Sequence, residues 1–218
     1  MSTLIIADIA GEFDALMRLV ALAPKATKIS VGDMCDRGPN SKEVFEYFMA
    51  DYGKTKFALM GNHEHMALEH YRSVYRHYEW GTWDYNGGRA TRQSFPDQEI
   101  PANVLDWIAA LPLFKKIKSK SAPTAFISHA PLYGDIKQIP KLAGKAHGQY
   151  LMDFIWNRYE PIAQEGYLQI FGHNSHWGLR SFVEAGQTDP YAICIDQSRT
   201  KVLTGYLYPD GEILEVPF

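Results

Sequence analysis

The chain has 218 residues, of which 46% are hydrophobic and 22% are charged, and its formal net charge is -3. This composition is typical of a globular domain that buries its own core, and the charge gives no basis for nucleic-acid binding. The chain has only two cysteines, Cys35 and Cys194, which excludes a disulfide framework and a cysteine-rich zinc motif and favours a cytoplasmic location.

The first third of the chain repeats one unit three times: a short strand, a polar loop and a helix with apolar residues at helical spacing. The predicted strands and helices alternate over 3–9, 13–23, 27–31, 41–48, 56–60 and 62 to about 78. Ser41 is predicted to cap the second helix. Because ligands of open α/β sheets bind at the carboxyl ends of the strands, we expect the functional site there.

The rest of the chain is less regular. Residues 79–101 are rich in tryptophan, tyrosine and glycine without clear periodicity, so we predict a loop or cap over the site. A short helix is predicted at 104–111, and strands are predicted at 124–128, 168–171, 192–196, 202–208 and 212–216, the last three as an antiparallel meander. The sequence has no internal repeat of residues and no clear linker, so residues 1–218 are predicted to form one domain. No apolar run is long enough for a membrane helix and no leader is recognisable, so we expect neither export nor a membrane partner.

Five residues that directly follow predicted strands could ligate a metal, and we expect them on one edge of the sheet: Asp8, Asp33, Asn62, His129 and His173. Each has an ordinary structural explanation alone, because Asp and Asn form turns and a single histidine is usually structural. Turn chemistry does not require five metal-competent side chains in equivalent places. The combination of carboxylates, an amide and imidazoles therefore predicts a site for divalent manganese, iron or zinc.

Five segments of the sequence resemble motifs of the phosphoprotein phosphatase family of metallophosphoesterases. They are GDMCDRG (32–38), GNHE (61–64), SHAP (128–131), WNR (156–158) and FGH (171–173). The resemblance spans Leu4 to Asp196 and is greatest to the small bacterial and bacteriophage serine/threonine phosphatases of the lambda type. It implies an α/β, calcineurin-like metallophosphoesterase fold, with a central β-sandwich of mixed sheets flanked by helices.

The resemblance also implies roles for these residues around two divalent ions, which we expect to be manganese, with iron or zinc as alternatives. Asp33 would bridge the two ions, and Asn62, His129 and His173 would complete the second site, while Asp8 would belong to the first. Two such ions share a water and aim it in line at phosphorus. The implied reaction is a direct attack without a phosphoenzyme intermediate.

Four further residues are implied to act on the phosphate ester. His63 would protonate the leaving alkoxide, and Asp36 would hold its ring in the productive orientation. Arg37 and Arg158 would bind the phosphate oxygens with their planar forks of donors.

The sequence departs from the family at its first motif, DxHG, which here reads Asp8-Ile9-Ala10-Gly11. A methyl group cannot ligate a metal, so we expect weaker occupancy of the first site and reduced turnover. Since the other motifs are intact, the pattern favours an introduced inactivating substitution over natural divergence.

The expected substrate is phosphoserine or phosphothreonine in a protein or peptide. Dinucleoside polyphosphate hydrolases share the same core but commonly lack the second Asp of GDxxDRG, so Asp36 favours the protein phosphatase. A third hypothesis, motivated by Ala10, is a non-catalytic module that binds phosphate or phosphopeptides.

Overall fold

The computed structural model describes residues 2–72, 81–137, 139 and 151–218. The strands in these ranges are β1 (Thr3–Ile6), β2 (Thr27–Ser30), β3 (Lys56–Ala58), β4 (Phe114–Ile117), β5 (Thr124–Ser128), β6 (Tyr167–Phe171), β7 (Arg180–Val183), β8 (Pro190–Cys194), β9 (Val202–Tyr208) and β10 (Glu212–Pro217). The α-helices are α1 (Phe13–Leu22), α2 (Ser41–Met49), α3 (Asn62–Arg72), α4 (Arg89–Ser94), α5 (Ala102–Ala109) and α6 (Leu151–Ile155). None of these helices combines the length and the apolar character that crossing a bilayer requires.

The strands form two five-stranded sheets, and both are mixed. The first has the order β10-β9-β1-β2-β3, and the second has the order β4-β5-β6-β8-β7. In the first sheet β1, β2 and β3 are parallel, whereas β9 and β10 form an antiparallel hairpin beside β1. Apolar side chains from both sheets and the flanking helices share one core. The predicted sandwich of mixed sheets flanked by helices is therefore confirmed.

The predicted single sheet edge is wrong, because the five candidate ligands come from two sheets. Asp8, Asp33 and Asn62 follow β1, β2 and β3 of the first sheet, while His129 and His173 follow β5 and β6 of the second. In each sheet these strands run parallel, so their carboxyl ends share a side. The two sets of strand ends meet at one end of the sandwich, which we call its top.

The predicted C-terminal meander is also wrong. Strand β8 pairs in parallel with β6 in the second sheet, whereas β9 and β10 lie in the first. The chain therefore crosses between the sheets after Cys194. The alternation of apolar residues within a strand does not indicate which sheet the strand joins, so the crossing could not be predicted from it.

The sequence did not predict strands β4 and β7 or the short helix α6. In β4 two lysines mask the apolar pattern, because their stems lie over aromatic rings: the Nζ of Lys115 is 3.8 Å from the ring centre of Phe57, and the Nζ of Lys116 is 5.8 Å from that of Phe114. Long charged side chains can cover apolar surface in this way. In β7 only Phe182 is buried.

The region predicted as a loop or cap at 79–101 is largely helical where it is described. A π-helical turn (Asp84–Gly88) leads into α4, and Gly87, with a φ of 106°, interrupts the helical geometry between them. This break explains why the sequence shows no continuous periodicity. The buried Trp83 packs against this turn, since a Cβ on Gly88 would lie only 2.4 Å from its ring. Residues 79 and 80 and the predicted helix beyond Arg72 lie outside the described residues, and the cap role remains a prediction.

Candidate metal and phosphate site

Four possible ligands converge at the top of the sandwich. The Oδ1 of Asn62 lies 2.9 Å from both the Nε2 of His129 and the Nδ1 of His173. The Oδ1 of Asp33 is 3.3 Å from the same nitrogen of His129, and possible ligand atoms of Asp33, His129 and His173 all lie within 4.8 Å of one another. An amide oxygen, a carboxylate and two imidazoles at this spacing fit a divalent transition ion.

The electrostatics of these groups also suit a metal. Burial lowers the pKa of His129, and burial together with His129 lowers the pKa of His173 to about 3. Burial acts to raise the pKa of Asp33, but the nearby His129 and His63 outweigh it and lower that pKa. Neutral imidazoles keep a lone pair for a metal, and an ionised carboxylate supplies the charge.

The backbone of this site is sharply bent. Asp33, Asp36, Arg37 and His173 have φ values of 49°, 74°, 62° and 63°, a region that non-glycine residues seldom adopt and that clusters at functional sites. A Cβ on Gly172 would lie 2.0 Å from the Oδ1 of Asp8. Only glycine lets the loop after β6 come so close to the loop after β1.

Glu64 holds two of these loops together, a role that the sequence analysis missed. The side chain is fully buried, and its carboxylate accepts the backbone N–H groups of Asp33 at 2.8 Å, Met34 at 2.7 Å and Gly61 at 2.9 Å. Burial and the neighbouring Asp33 raise the pKa of Glu64 to about 7. A signal was available, because GNHE was part of the resemblance and an acid in the first turn of a helix faces free N–H groups.

Asp8 and Ala10 lie on the other side of Asp33. The backbone N–H of His173 lies 3.2 Å from both carboxylate oxygens of Asp8. Burial and then the nearby Asp196 and Asp33 raise the pKa of Asp8 well above its usual value. Ala10 lines the same cavity as these acids, so its methyl group stands where a ligand could reach.

His63 and Asp36 form a buried pair beside the converging ligands. The Nδ1–H of His63 donates to the Oδ2 of Asp36 at 2.5 Å. Asp36 also accepts from the Nε1–H of Trp83 at 2.9 Å and from the Oγ1–H of Thr91 at 2.6 Å. Burial acts to lower the pKa of His63, but Asp33 and Asp36 outweigh it and raise that pKa. Trp83 and Thr91 were missed because contacts across such sequence distances leave no local pattern.

The predicted N-cap role of Ser41 is wrong. Asn40 is the N-cap residue of α2, without a side-chain cap bond. The hydroxyl of Ser41 instead accepts the backbone N–H of Asp36 at 3.1 Å and lies 3.0 Å from the Oγ1 of Thr91. Ser41 therefore supports the loop that carries Asp36.

The converging ligands adjoin one cavity of about 650 Å³. Seven of the nine predicted site residues line it: Asp8, Asp33, Arg37, Asn62, His63, Arg158 and His173. The other two, His129 and Asp36, lie directly behind Asn62 and His63. The Nη2 of Arg37 is 3.2 Å from the Nε2 of His63, and the exposed Arg158 donates to the Oδ1 of Asn174 at 3.2 Å. The structure therefore brings every predicted site residue together.

Known proteins with this architecture include enzymes of two substrate classes. The symmetrical bis(5'-nucleosyl)-tetraphosphatase of Delftia acidovorans is 29% identical over 170 residues, which cover 73% of this chain and 57% of that protein. The match thus spans little more than half of that relative. Among solved structures, a candidate diadenosine tetraphosphatase has a TM-score of 0.68 at 19% identity, with 99% of this chain and 93% of that chain covered.

A protein serine/threonine phosphatase from Saccharomyces cerevisiae has a TM-score of 0.59 at 15% identity, with 100% of this chain and 80% of that chain covered. At these identities the solved structures show a shared fold, and both substrate classes occur on it. The family profile of the calcineurin-like phosphoesterases matches residues 1–195. The chain therefore belongs to the calcineurin-like phosphoesterase family and has the metallophosphoesterase fold that its motifs implied.

Proposed function

We propose that this chain is a metal-dependent phosphomonoesterase that acts on phosphoserine or phosphothreonine. The observation that carries the proposal is His63, which Asp36 holds from behind and which lines the same cavity as the converging donors of Asp33, Asn62 and His173. The Nε2 of His63 is 3.7 Å from the Oδ2 of Asp33, so a proton donor for the leaving group adjoins the cluster of metal donors. In-line displacement at phosphorus needs both kinds of group at one site.

The hydrogen bonds of Asp36 determine which nitrogen of His63 can act. The carboxylate holds the Nδ1–H, and Trp83 and Thr91 hold the carboxylate. The Nε2 of His63 therefore points into the cavity, where a proton can pass to a leaving oxygen. Burial acts to lower the pKa of His63, but Asp33 and Asp36 outweigh it, and the raised pKa favours the protonated ring that a general acid needs.

Arg37 and Arg158 are positioned to bind the phosphate. Both line the cavity, and a guanidinium group donates two parallel hydrogen bonds to phosphate oxygens. Because Arg37 lies beside the Nε2 of His63, a phosphate on Arg37 would have its ester oxygen next to the proton donor. Two divalent ions, when bound by Asp8, Asp33, Asn62, His129 and His173, would lower the pKa of a water and neutralise the phosphate oxygens.

A second candidate is the hydrolysis of dinucleoside polyphosphates, which one observation favours. Tyr133 and Tyr159 are 59% and 73% exposed, and their ring centres are 5.8 Å apart. Both tyrosines line a separate cavity of about 420 Å³, and since Tyr159 directly follows Arg158 in the chain, a base stacked there could belong to a nucleotide whose phosphates reach Arg158. Arg199 and Lys201 add positive charge to the cavity wall, which suits more than one phosphate.

A comparison of two substrates separates the candidates. The protein with Mn²⁺ would be given a phosphoserine peptide and diadenosine tetraphosphate under identical conditions. We expect a higher kcat/KM on the phosphopeptide. A higher kcat/KM on diadenosine tetraphosphate would transfer the proposal to the second candidate.

The role of His63 is tested with the variant His63→Asn, whose amide can still donate to Asp36. Loss of a general acid slows substrates with poor leaving groups more than those with good ones. We expect kcat to fall about 100-fold or more on the phosphoserine peptide and much less on p-nitrophenyl phosphate. Equal losses on both substrates would contradict the role of proton donor.

A further inference from the structure

Position 10 leaves the first half of the expected metal centre without an imidazole, and the question is what completes it. Asp8 and Asp33 both line the cavity on this side, and so does a third acid, Asp196. All three are buried, with 7%, 5% and 2% of their surface exposed. Asp196 had no role in the sequence analysis.

The pairing of β6 with β8 places Asp196 next to Asp8. Phe171 lies opposite Cys194, and the bond from the N–H of Ile195 to the carbonyl of Phe171 continues the pairing by one residue. This pairing brings the chain after β8 alongside the chain after β6, where the N–H of His173 is shared by the two carboxylate oxygens of Asp8. Asp196 and Asp8 line the same cavity, and Asp196 is close enough to raise the pKa of Asp8.

The chain neutralises this group of charges only in part. Within the ranges that the structure describes, neither Asp8 nor Asp196 forms an ion pair. Asp8 accepts the backbone N–H of His173, and Asp196 accepts the backbone N–H of Ser198 at 2.9 Å and a side-chain hydrogen bond from the same residue. The nearby Arg37 acts to lower the pKa of both acids without forming an ion pair with either. Burial raises the pKa of Asp196, and Asp33 raises it further. Buried carboxylates are costly unless they are paired with a cation or bind a metal.

We propose that Asp196 completes the first metal site in place of a histidine at position 10, so that this site consists of the carboxylates of Asp8, Asp33 and Asp196. The proposal rests on the metal-dependent function proposed above. Its second support is an imidazole and not an acid: the buried Nε2 of His173, which lines the same cavity, has no hydrogen-bond partner among the described residues. Asp33 also belongs to the neighbouring donor cluster of His129 and His173, so any ion held there lies beside these carboxylates.

The proposal predicts that the two metal sites differ in selectivity. A site with only carboxylate oxygens and water prefers hard ions such as Mg²⁺ and Mn²⁺, whereas imidazole ligands also suit zinc and iron. We therefore expect Mg²⁺ to compete with Mn²⁺ at the first site far more effectively than at the second.

The test is to count bound Mn²⁺ by titration calorimetry in the parent chain, which has Ala10, and in Asp196→Asn. The amide keeps the volume and can still accept the N–H of Ser198. We expect two ions per chain to become one, with affinity at the lost site weakened by about tenfold or more. We also expect a higher Tm without metal at pH 8, because a buried charge is gone, and a smaller rise of Tm on adding Mn²⁺. Glu12→Gln removes another carboxylate of the cavity wall and should change neither quantity.

The opposite outcomes are equally clear. If Asp196→Asn still binds two Mn²⁺ with unchanged affinity, or if the parent chain binds only one, the inference is wrong. A lower metal-free Tm with unchanged binding would show that Asp196 only supports the loop at Ser198. Hydrolysis of p-nitrophenyl phosphate by the parent chain is measured in parallel. If the parent chain is active and Asp196→Asn binds as many ions as the parent, only the inference is wrong. If Asp196→Asn loses one ion but the parent chain is inactive, only the proposed function is wrong.

Discussion

The two halves of the candidate metal centre are built differently, although they share Asp33. The imidazole half consists of Asn62, His129 and His173, and one nitrogen of each histidine lies 2.9 Å from the Oδ1 of Asn62. The carboxylate half consists of Asp8, Asp196 and the methyl group of Ala10. In the imidazole half, neutral donors and the shared carboxylate of Asp33 are already close together. In the carboxylate half, buried acids lie close to one another. A motif can therefore lose one metal ligand while the surrounding fold still presents carboxylates to a cation.

The largest expected effect is in the imidazole half. His129→Ala removes a fully buried donor and leaves the oxygen of Asn62 with one imidazole partner. We expect loss of the second metal and a fall in phosphatase kcat/KM of more than about 100-fold, since even residues that only support metal ligands contribute 10–100-fold. His176→Ala is the matched control, because His176 lines the cavity without contacting Asn62. Equal losses of bound metal and of kcat/KM in both variants would show that His129 matters no more than any other histidine at the cavity.

The next effect concerns the loops that position Asp33 and Asn62. Glu64→Gln leaves one oxygen for three backbone N–H groups, so buried donors lose their partners. We expect the free energy of unfolding to fall by about 2–3 kcal/mol, measured by urea denaturation. Glu69→Gln lies on the same helix with a 58% exposed side chain, and should change it by less than about 0.5 kcal/mol. Similar losses of unfolding free energy in Glu64→Gln and Glu69→Gln would show that Glu64 does not hold the loops.

The carboxylate half is tested by restoring an imidazole. Ala10 has a φ of 51°, a region that histidine tolerates better than most residues. We expect Ala10→His to tighten Mn²⁺ binding at the first site by about tenfold or more and to raise the phosphatase rate, whereas Ala10→Gln should do neither. No gain in bound manganese would contradict the assignment of position 10. A restored variant that stays inert while the chain binds phosphopeptides tightly would favour the non-catalytic module.

The smallest effect concerns the catalytic pair outside both halves. Because the folded pKa of His63 lies above its unfolded value of about 6.5, its stabilising charge is fully present below that value and is lost as the pH rises through the folded pKa. In metal-free protein we expect the Tm of the parent chain to exceed that of His63→Asn by a few degrees more at pH 6 than at pH 9. A difference in Tm that does not change with pH, or that grows at pH 9, would show that His63 is not protonated between Asp33 and Asp36.

The sequence predicted the fold class and which residues gather around the cavity, but it did not predict how the strands pair. Residues such as Asp33 and His173 stand directly after strands, and this local position is visible in a single sequence. Whether β8 joins β6 or β9 depends on which sheet buries it, and both have similar apolar faces. For the same reason Asp196, which reaches the site through the pairing of β6 with β8, was not predicted.

The supporting residues show the same limit. Trp83 and Thr91 hold Asp36 from helical turns that follow it by 47 and 55 residues, and nothing near them in the sequence indicates this role. Glu64 lies inside a recognised motif, yet its three hydrogen bonds become evident only when the loops after β2 and β3 are seen together.

The most direct test of the central claim is anomalous scattering at the manganese edge from crystals grown with Mn²⁺. We predict two peaks beside Asp33, roughly 3.5–4 Å apart, one of them bonded to Asn62, His129 and His173 and the other to Asp8. No peak beside Asp33, or peaks only on exposed carboxylates, would contradict the account.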